Sequence, residues 1–154
     1  MVGKVDRTLA ELGYTLPAVP PQMGNYVPFV ITSNLLYTAG LAPRTESGEW
    51  ITGKVGAEVS LEQAYQHAQV VGLQLLAVMR EALTDLDRVK RIVKILGMVN
   101  GTPDFTQFPQ VINGCSDLFA LIFGDAGKHA RSAIGVGGLP GNATVEIEII
   151  AEIV

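Results

Sequence analysis

Arg131 is the residue whose type and surroundings most directly suggest chemistry in this sequence. It stands at the start of the nearly apolar stretch ARSAIGVGGLP, and the alternate residues Ala133, Gly135 and Gly137 are all small. A guanidinium that borders open space is suited to bidentate recognition of a carboxylate. The same side chain could instead form an ion pair at the edge of a sheet. The spacing alone leaves both roles open.

Glu146 follows in the last apolar segment, VEIEIIAEI, where carboxylates alternate with aliphatic residues. Alternate side chains of a strand point to opposite faces, so Glu146 shares a face with Glu148 and Ile150. A face that mixes carboxylates with isoleucine suits bulk water poorly. We therefore expect this face to lie at a subunit interface.

Other residues that could carry chemistry are weaker candidates. The glycine-rich segment 135–141 has Pro140 where a dinucleotide fingerprint needs its third glycine. His67 and His129 lie on different predicted elements, so the sequence predicts no metal site. We expect His67 to be solvated, and His129 to be a cation at a helix end or an orienting group for a substrate. Cys115 lies on an apolar helical stripe and is expected in the core.

The composition indicates one globular domain over residues 1–154, with a net charge of −4. Hydrophobic residues make up 48% and charged residues 17%, so part of the surface should be buried between subunits. No apolar run reaches membrane length, and we expect no membrane partner. The acidic balance disfavours nucleic acid as a partner, because phosphate binding draws on clustered Lys and Arg. One cysteine and the lack of a secretory pattern favour a cytoplasmic location.

Hydrophobic periodicity predicts an N-terminal arm followed by alternating strands and helices. The arm, residues 1–25, should lie on the surface, and its prolines forbid regular structure up to about Tyr26. The first predicted elements are a short helix over 5–12 and a hairpin of strands 29–32 and 35–39. A helix capped by Ser60 and Gln63 then runs to about Leu83, followed by a strand over 89–99. A helix from Pro109 to Gly124 and strands over 132–136 and 144–153 complete the predicted order. This order predicts an α+β sandwich with two helices on one face of a sheet.

Several short motifs appear in the order found in one known family. They are Tyr26 after a glycine, Thr38-Ala-Gly40, Asp104-Phe105, Asn113 in the second helix, Ala130-Arg131-Ser132, Leu139-Pro140 and Val145-Glu-Ile-Glu148. Over roughly residues 24–154 the chain resembles the YjgF/RidA family, in the branch often labelled "putative endoribonuclease" or L-PSP-like. The resemblance implies a chorismate-mutase-like fold with a mixed sheet, assembled as a homotrimer with a cleft between each pair of subunits.

The activity implied by this resemblance is hydrolytic deamination of small reactive 2-imino or 2-enamino acids to 2-oxo acids and ammonia. No metal or organic cofactor is required. By the same resemblance Arg131 grips the substrate carboxylate and Glu146 positions or activates water, which would place the imine carbon and provide a proton shuttle. The residues that would line or support the cleft are Tyr26, Ala39, Gly40, Asn113 and Ala133.

Two positions depart from the family pattern. Ala133 stands where active deaminases usually carry a cysteine, and Ala39 stands where they usually carry a serine. The changed lining is compatible with a different imine, or with a trimer that binds a small carboxylate without turnover. A structural ion pair of Glu146 with Arg131 is a further alternative. RNA cleavage is disfavoured by the acidic pI near 5.1 and by the lack of a basic sequence studded with aromatic residues.

Overall fold

A computed structural model describes residues 2–154, and three α-helices and five strands follow one another within this range. The helices are α1 (Lys4–Glu11), α2 (Leu61–Leu83) and α3 (Phe108–Phe123), and the strands are β1 (Phe29–Thr32), β2 (Leu35–Thr38), β3 (Val89–Asn100), β4 (Ala130–Val136) and β5 (Val145–Ile153). The predicted order of elements is confirmed, and the predicted bounds differ by one or two residues.

The five strands form one mixed sheet in the order β1-β2-β5-β3-β4. Strand β4 runs parallel to β3, whereas the other neighbouring pairs are antiparallel. A parallel pair needs a long crossover connection, and α3 provides it between β3 and β4. The last strand of the chain, β5, therefore lies in the middle of the sheet, and β4 lies at an edge.

Alternation along β5 defines the two faces of the sheet. One face is buried under α2 and α3, which contact the sheet and each other. Its β5 residues are Val145, Ile147, Ile149, Ala151 and Ile153, and those of the opposite face are the partly exposed Glu146, Glu148, Ile150 and Glu152. The prediction of two helices on one face is confirmed. We call the buried side the helix face and the opposite side the outer face.

Helix α2 begins at the capping box predicted from the sequence. The Ser60 hydroxyl accepts a hydrogen bond from the Gln63 backbone N–H at 3.1 Å, and the Gln63 side chain accepts one from the Ser60 N–H at 2.9 Å. These two bonds satisfy donors that a helix start leaves without partners. Among the described residues, no helix is both long and apolar enough to cross a membrane.

The N-terminal arm is anchored more firmly than predicted. Helix α1 buries Val5 and Leu9 in the main hydrophobic core, so this part of the arm does not simply lie on the surface. The Asp87 carboxylate accepts hydrogen bonds from the backbone N–H groups of Lys4 and Val5 at 2.7 and 2.8 Å. These bonds favour the ionised form and lower the pKa of Asp87.

Helices α2 and α3 pack closely because Gly114 has no side chain. A Cβ atom at Gly114 would overlap the backbone carbonyl of Tyr65 in α2. We expect Gly114→Ala to lower the free energy of unfolding by about 1–3 kcal/mol, since the two helices would have to move apart. Gly138→Ala is the matched control, because a Cβ there meets nothing within 4 Å. Chemical denaturation of both variants measures the difference, and equal stabilities would contradict close packing at Gly114.

Candidate active site

Arg131 lies on the helix face of edge strand β4. It pairs in parallel register with Ile95, which is fully buried beneath the helices. Its Nη1 atom donates to Asn113 Oδ1 at 2.7 Å and to Ser116 Oγ at 3.1 Å. Asn113 and Ser116 are three residues apart on α3, so they share one side of that helix. Among the described residues, no carboxylate lies within ion-pair distance of Arg131, so the chain contains no edge salt bridge at this position.

The open space expected along the strand beside Arg131 is filled at Gly135 but remains open at Gly137, where a Cβ atom would meet nothing within 4 Å. A Cβ atom at Gly135 would overlap the ring of Phe108 from α3, so this glycine makes room for an aromatic side chain. Ala133 packs against the hydrophobic core between these positions. The sequence interpretation was wrong at Gly135 because it considered the strand without the helix above it. The Arg131 guanidinium is thus held by specific partners at one nitrogen, Nη1.

His129 extends the hydrogen-bond network around Arg131. Its Nε2 lies 2.9 Å from Ser116 Oγ, and its Nδ1 lies 2.7 Å from the Gly127 carbonyl oxygen. A carbonyl can only accept, so Nδ1 carries the proton, and a neutral ring then accepts from the Ser116 hydroxyl at Nε2. Burial lowers the pKa of His129, which favours this neutral form. The expectation of a helix-end cation at His129 was therefore wrong.

Glu146 lies on the outer face of the sheet, where it pairs with Met98 of β3. It lines a cavity of about 880 Å³, together with Tyr26, Ala39 and Gly40. Gly40 permits a close approach, because a Cβ atom there would lie 3.0 Å from Glu146 Oε2. Burial, and to a lesser extent the neighbouring Glu148, raises the pKa of the Glu146 carboxyl.

The predicted site residues thus fall into two groups on opposite faces of the sheet. Tyr26, Ala39, Gly40 and Glu146 surround the outer-face cavity, which we call the Glu146 half-site. Arg131, Asn113 and Ala133 lie on the helix face, and with Ser116 and His129 they form what we call the Arg131 half-site. Within one chain the structure does not bring the two groups together.

Sequence reasoning did not find the role of Ser116, although two spacing signals were present. Ser116 lies one helical turn after Asn113, and His129 lies two residues before Arg131, as for side chains on one side of an extended chain. Sequence reasoning also missed Arg44. Its guanidinium stacks 4.7 Å from the centre of the Trp50 ring, and both side chains line the outer-face cavity.

The other two candidate residues, His67 and Cys115, have roles in the fold. His67 is half-buried, and its Nδ1 lies 3.1 Å from the Thr144 hydroxyl, so the expectation of a solvated side chain was wrong. Cys115 is fully buried, which raises the pKa of its thiol and confirms it as a core residue. The described residues contain no group of three or more His, Cys, Asp or Glu side chains arranged to hold a metal ion.

Comparison with known proteins identifies the family. The family model described as YjgF/chorismate mutase-like, "putative endoribonuclease", matches residues 6–153. The chain belongs to this family. The resemblance inferred from the motifs is confirmed, and so is the expected chorismate-mutase-like α+β fold.

Three similar proteins show the range of names within the YjgF family. Protein TCP17 of Trypanosoma cruzi is 40% identical over 98% of this chain and 95% of its own length. A crystal structure described as a "putative endoribonuclease" from Shewanella oneidensis has a TM-score of 0.94 at 28% identity, and the match covers 98% of this chain and 100% of that one. The 2-iminobutanoate/2-iminopropanoate deaminase of Dermatophagoides farinae is 27% identical over 89% of this chain and 92% of that protein.

The raised pKa of Glu146 predicts a change in thermal stability. Because the folded state favours the protonated carboxyl, the stability that Glu146 contributes is complete below its ordinary pKa of 4.5 and is lost as the pH rises through the higher folded value. Glu146→Gln removes this titration. We expect its Tm to exceed that of the wild type at pH 7, and the difference to disappear below about pH 4.

Thermal unfolding between pH 4 and 8 measures this difference. Glu152→Gln is the matched control, since Glu152 lies on the same strand and face but pairs with Lys90 at 2.8 Å. It should leave the Tm unchanged or lower it. A lower Tm for Glu146→Gln at pH 7 would contradict the expectation and would indicate a structural ion pair at Glu146 in the assembled protein.

Proposed function

We propose that this YjgF-family protein hydrolyses small 2-imino or 2-enamino acids to 2-oxo acids and ammonia in clefts between the subunits of a homotrimer. The observation that carries the proposal is the separation of Arg131 and Glu146 onto opposite faces of one sheet. Each half-site holds one of the two groups that the reaction uses, Arg131 with its free guanidinium edge or Glu146 with its carboxyl. A second copy of the chain can bring the two together.

The surface of the outer face supports assembly through this side of the sheet. Large apolar side chains there are solvent-exposed in the single chain, including Tyr37 on β2 and Ile134 on β4. Ile134 pairs with Met98, which places it on the same face as Glu146. Exposed apolar area of this kind marks an interaction surface, and closed symmetric assemblies are the common solution for identical chains.

The arrangement of Arg131 suits it to bind a carboxylate. Asn113 and Ser116 both accept from Nη1, and within the described residues Nε and Nη2 have no protein partner. The Nε–Nη2 edge can therefore donate two parallel hydrogen bonds to one carboxylate group. This contact fixes the carbon next to the carboxylate, which in a 2-imino acid is the carbon that water attacks.

Glu146 is suited to the proton transfers of this reaction. As water adds to the C=N carbon, the Glu146 carboxylate accepts the proton that water loses and returns it to the nitrogen, which gives a 2-amino-2-hydroxy acid. The proton of the new hydroxyl group then reaches the nitrogen by the same route as the C–N bond breaks. Ammonia leaves and a carbonyl group forms, so one water molecule is consumed per imine. Its raised pKa brings the titration of the Glu146 carboxyl closer to neutral pH, where a single carboxyl can both accept and return a proton.

Ala39 favours a second candidate function. It lines the outer-face cavity with a methyl group, so its side chain provides no hydrogen-bond donor for a reacting water or nitrogen. A trimer with this lining could bind a 2-oxo acid through Arg131 without turnover. Endoribonuclease activity, which the family description mentions, is disfavoured by the net charge of −4.

Release of ammonia and oxo acid tests the proposed reaction. With 2-aminoacrylate or 2-iminobutanoate generated in the assay, the wild type should accelerate hydrolysis, and Arg131→Ala should lower kcat/KM roughly 100-fold, because the substrate loses its fixed position. Arg7→Ala, which removes an arginine from the exposed side of α1, is the control and should retain activity. If the wild type binds 2-oxobutanoate but produces no acceleration, the binding function replaces catalysis.

Mixed assemblies test whether the cleft is shared between subunits. Arg131→Ala and Glu146→Gln should each retain only a small residual activity alone. Co-refolding them in equal amounts should restore roughly a quarter of the wild-type activity, since about a quarter of the clefts would combine an intact Arg131 with an intact Glu146. Mixing the two proteins without subunit exchange provides the baseline. No recovery in assemblies shown by mass to be mixed would contradict a site built from two subunits.

A further inference from the structure

We infer that Ser116 and His129 are positioning residues that orient the Arg131 guanidinium towards the substrate carboxylate. This inference rests on the proposed role of Arg131 as a carboxylate clamp. It assigns a function to two side chains that neither the family resemblance nor the proposed chemistry uses.

The three side chains form a continuous hydrogen-bond chain with one consistent direction. Arg131 Nη1 donates to Ser116 Oγ at 3.1 Å, and the Ser116 hydroxyl donates to His129 Nε2 over 2.9 Å. His129 Nδ1 then donates to the Gly127 carbonyl at 2.7 Å. A backbone carbonyl cannot donate, so it fixes the tautomer of the ring and thereby the direction of every bond back to Arg131.

The hydrogen-bond chain from Arg131 to Gly127 matters because a serine hydroxyl can rotate. On a helix, a free serine hydroxyl can turn to bond a backbone carbonyl of the preceding turn. The acceptor at His129 Nε2 removes this freedom and directs the hydroxyl hydrogen away from Arg131. A lone pair of Ser116 Oγ is then available to Nη1, and the half-buried position of the network strengthens each bond.

Two acceptors on one nitrogen determine which edge of the guanidinium remains available. Asn113 Oδ1, at 2.7 Å, and Ser116 Oγ both lie on α3, so they hold Nη1 against the helix. Since the guanidinium is planar, fixing Nη1 at two points also fixes the direction of the opposite Nε–Nη2 edge. Loss of the Ser116 contact would leave Asn113 as the single restraint and would allow the plane to turn.

Binding of 2-oxobutanoate, measured by calorimetry at pH 7.5, tests the inference without requiring turnover. Ser116→Ala and His129→Ala should each weaken binding about five- to tenfold, the effect of losing one hydrogen bond that supports a charged group. The double variant should bind no more weakly than either single variant, because both changes break the same chain. His129→Gln should recover most of the affinity, since its amide oxygen can accept from Ser116 without an imidazole.

The protein has one other histidine, His67, and it provides the matched control. His67 is also half-buried and bonds to a hydroxyl, that of Thr144, but it has no contact with Arg131. His67→Ala should therefore bind 2-oxobutanoate like the wild type, even if its Tm falls. If His129→Ala fails to fold, Ser116→Ala and His129→Gln still test the hydrogen-bond chain.

The outcomes separate this inference from the proposed function. If Arg131→Ala loses binding but Ser116→Ala and His129→Ala bind like the wild type, the clamp stands and the positioning role is overturned. Equal weakening in His129→Gln and His129→Ala would also overturn it, because the acceptor would then be irrelevant. Wild-type binding without imine hydrolysis would overturn deamination alone, and absence of wild-type binding would overturn both the clamp and its positioning.

Discussion

The two-faced sheet is the constraint on which the rest of this structure depends. Helices α2 and α3 cover one face, and side chains alternate along the central strand β5, so each of its positions is committed to the core or to the outer side. A polar group on the helix face must find partners beneath a helix, or its burial costs free energy. Arg131 meets this requirement because it lies on the edge strand and because α3 presents Asn113 and Ser116 to it.

The same constraint leaves Arg131 on the helix face and Glu146 on the outer face without a counter-ion within the described residues. Within the described residues Arg131 has hydrogen-bond acceptors but no carboxylate, and Glu146 is partly desolvated beside a second carboxylate, Glu148. Either arrangement would be unfavourable as a purely structural feature, since a partly buried charge is stabilised best by an opposite one. In the proposed assembly the two half-sites would complement each other chemically.

Local signals made most of the fold predictable from the sequence. The capping box at Ser60, the helical stripes and the alternation in β5 all depend on neighbouring residues, and the element order followed from them. The errors arose where distant segments meet. Phe108 fills the space at Gly135, and His67 bonds to Thr144, contacts that no local pattern contains. For the site, Arg131 and Glu146 were identified mainly by resemblance, and their separation onto two faces required the strand register.

Membership of the YjgF family establishes the fold but does not by itself establish a reaction, because one scaffold can support several activities. What would distinguish a deaminase from a binding protein here is the protonation behaviour of Glu146. In the proposed cleft the substrate carboxylate lies against Arg131 and neutralises its charge, so the cation would have little effect on the pKa of Glu146. Burial would then continue to raise that pKa while substrate is bound. A binding protein has no such requirement, and an ionised Glu146 facing an anionic ligand would only weaken its affinity.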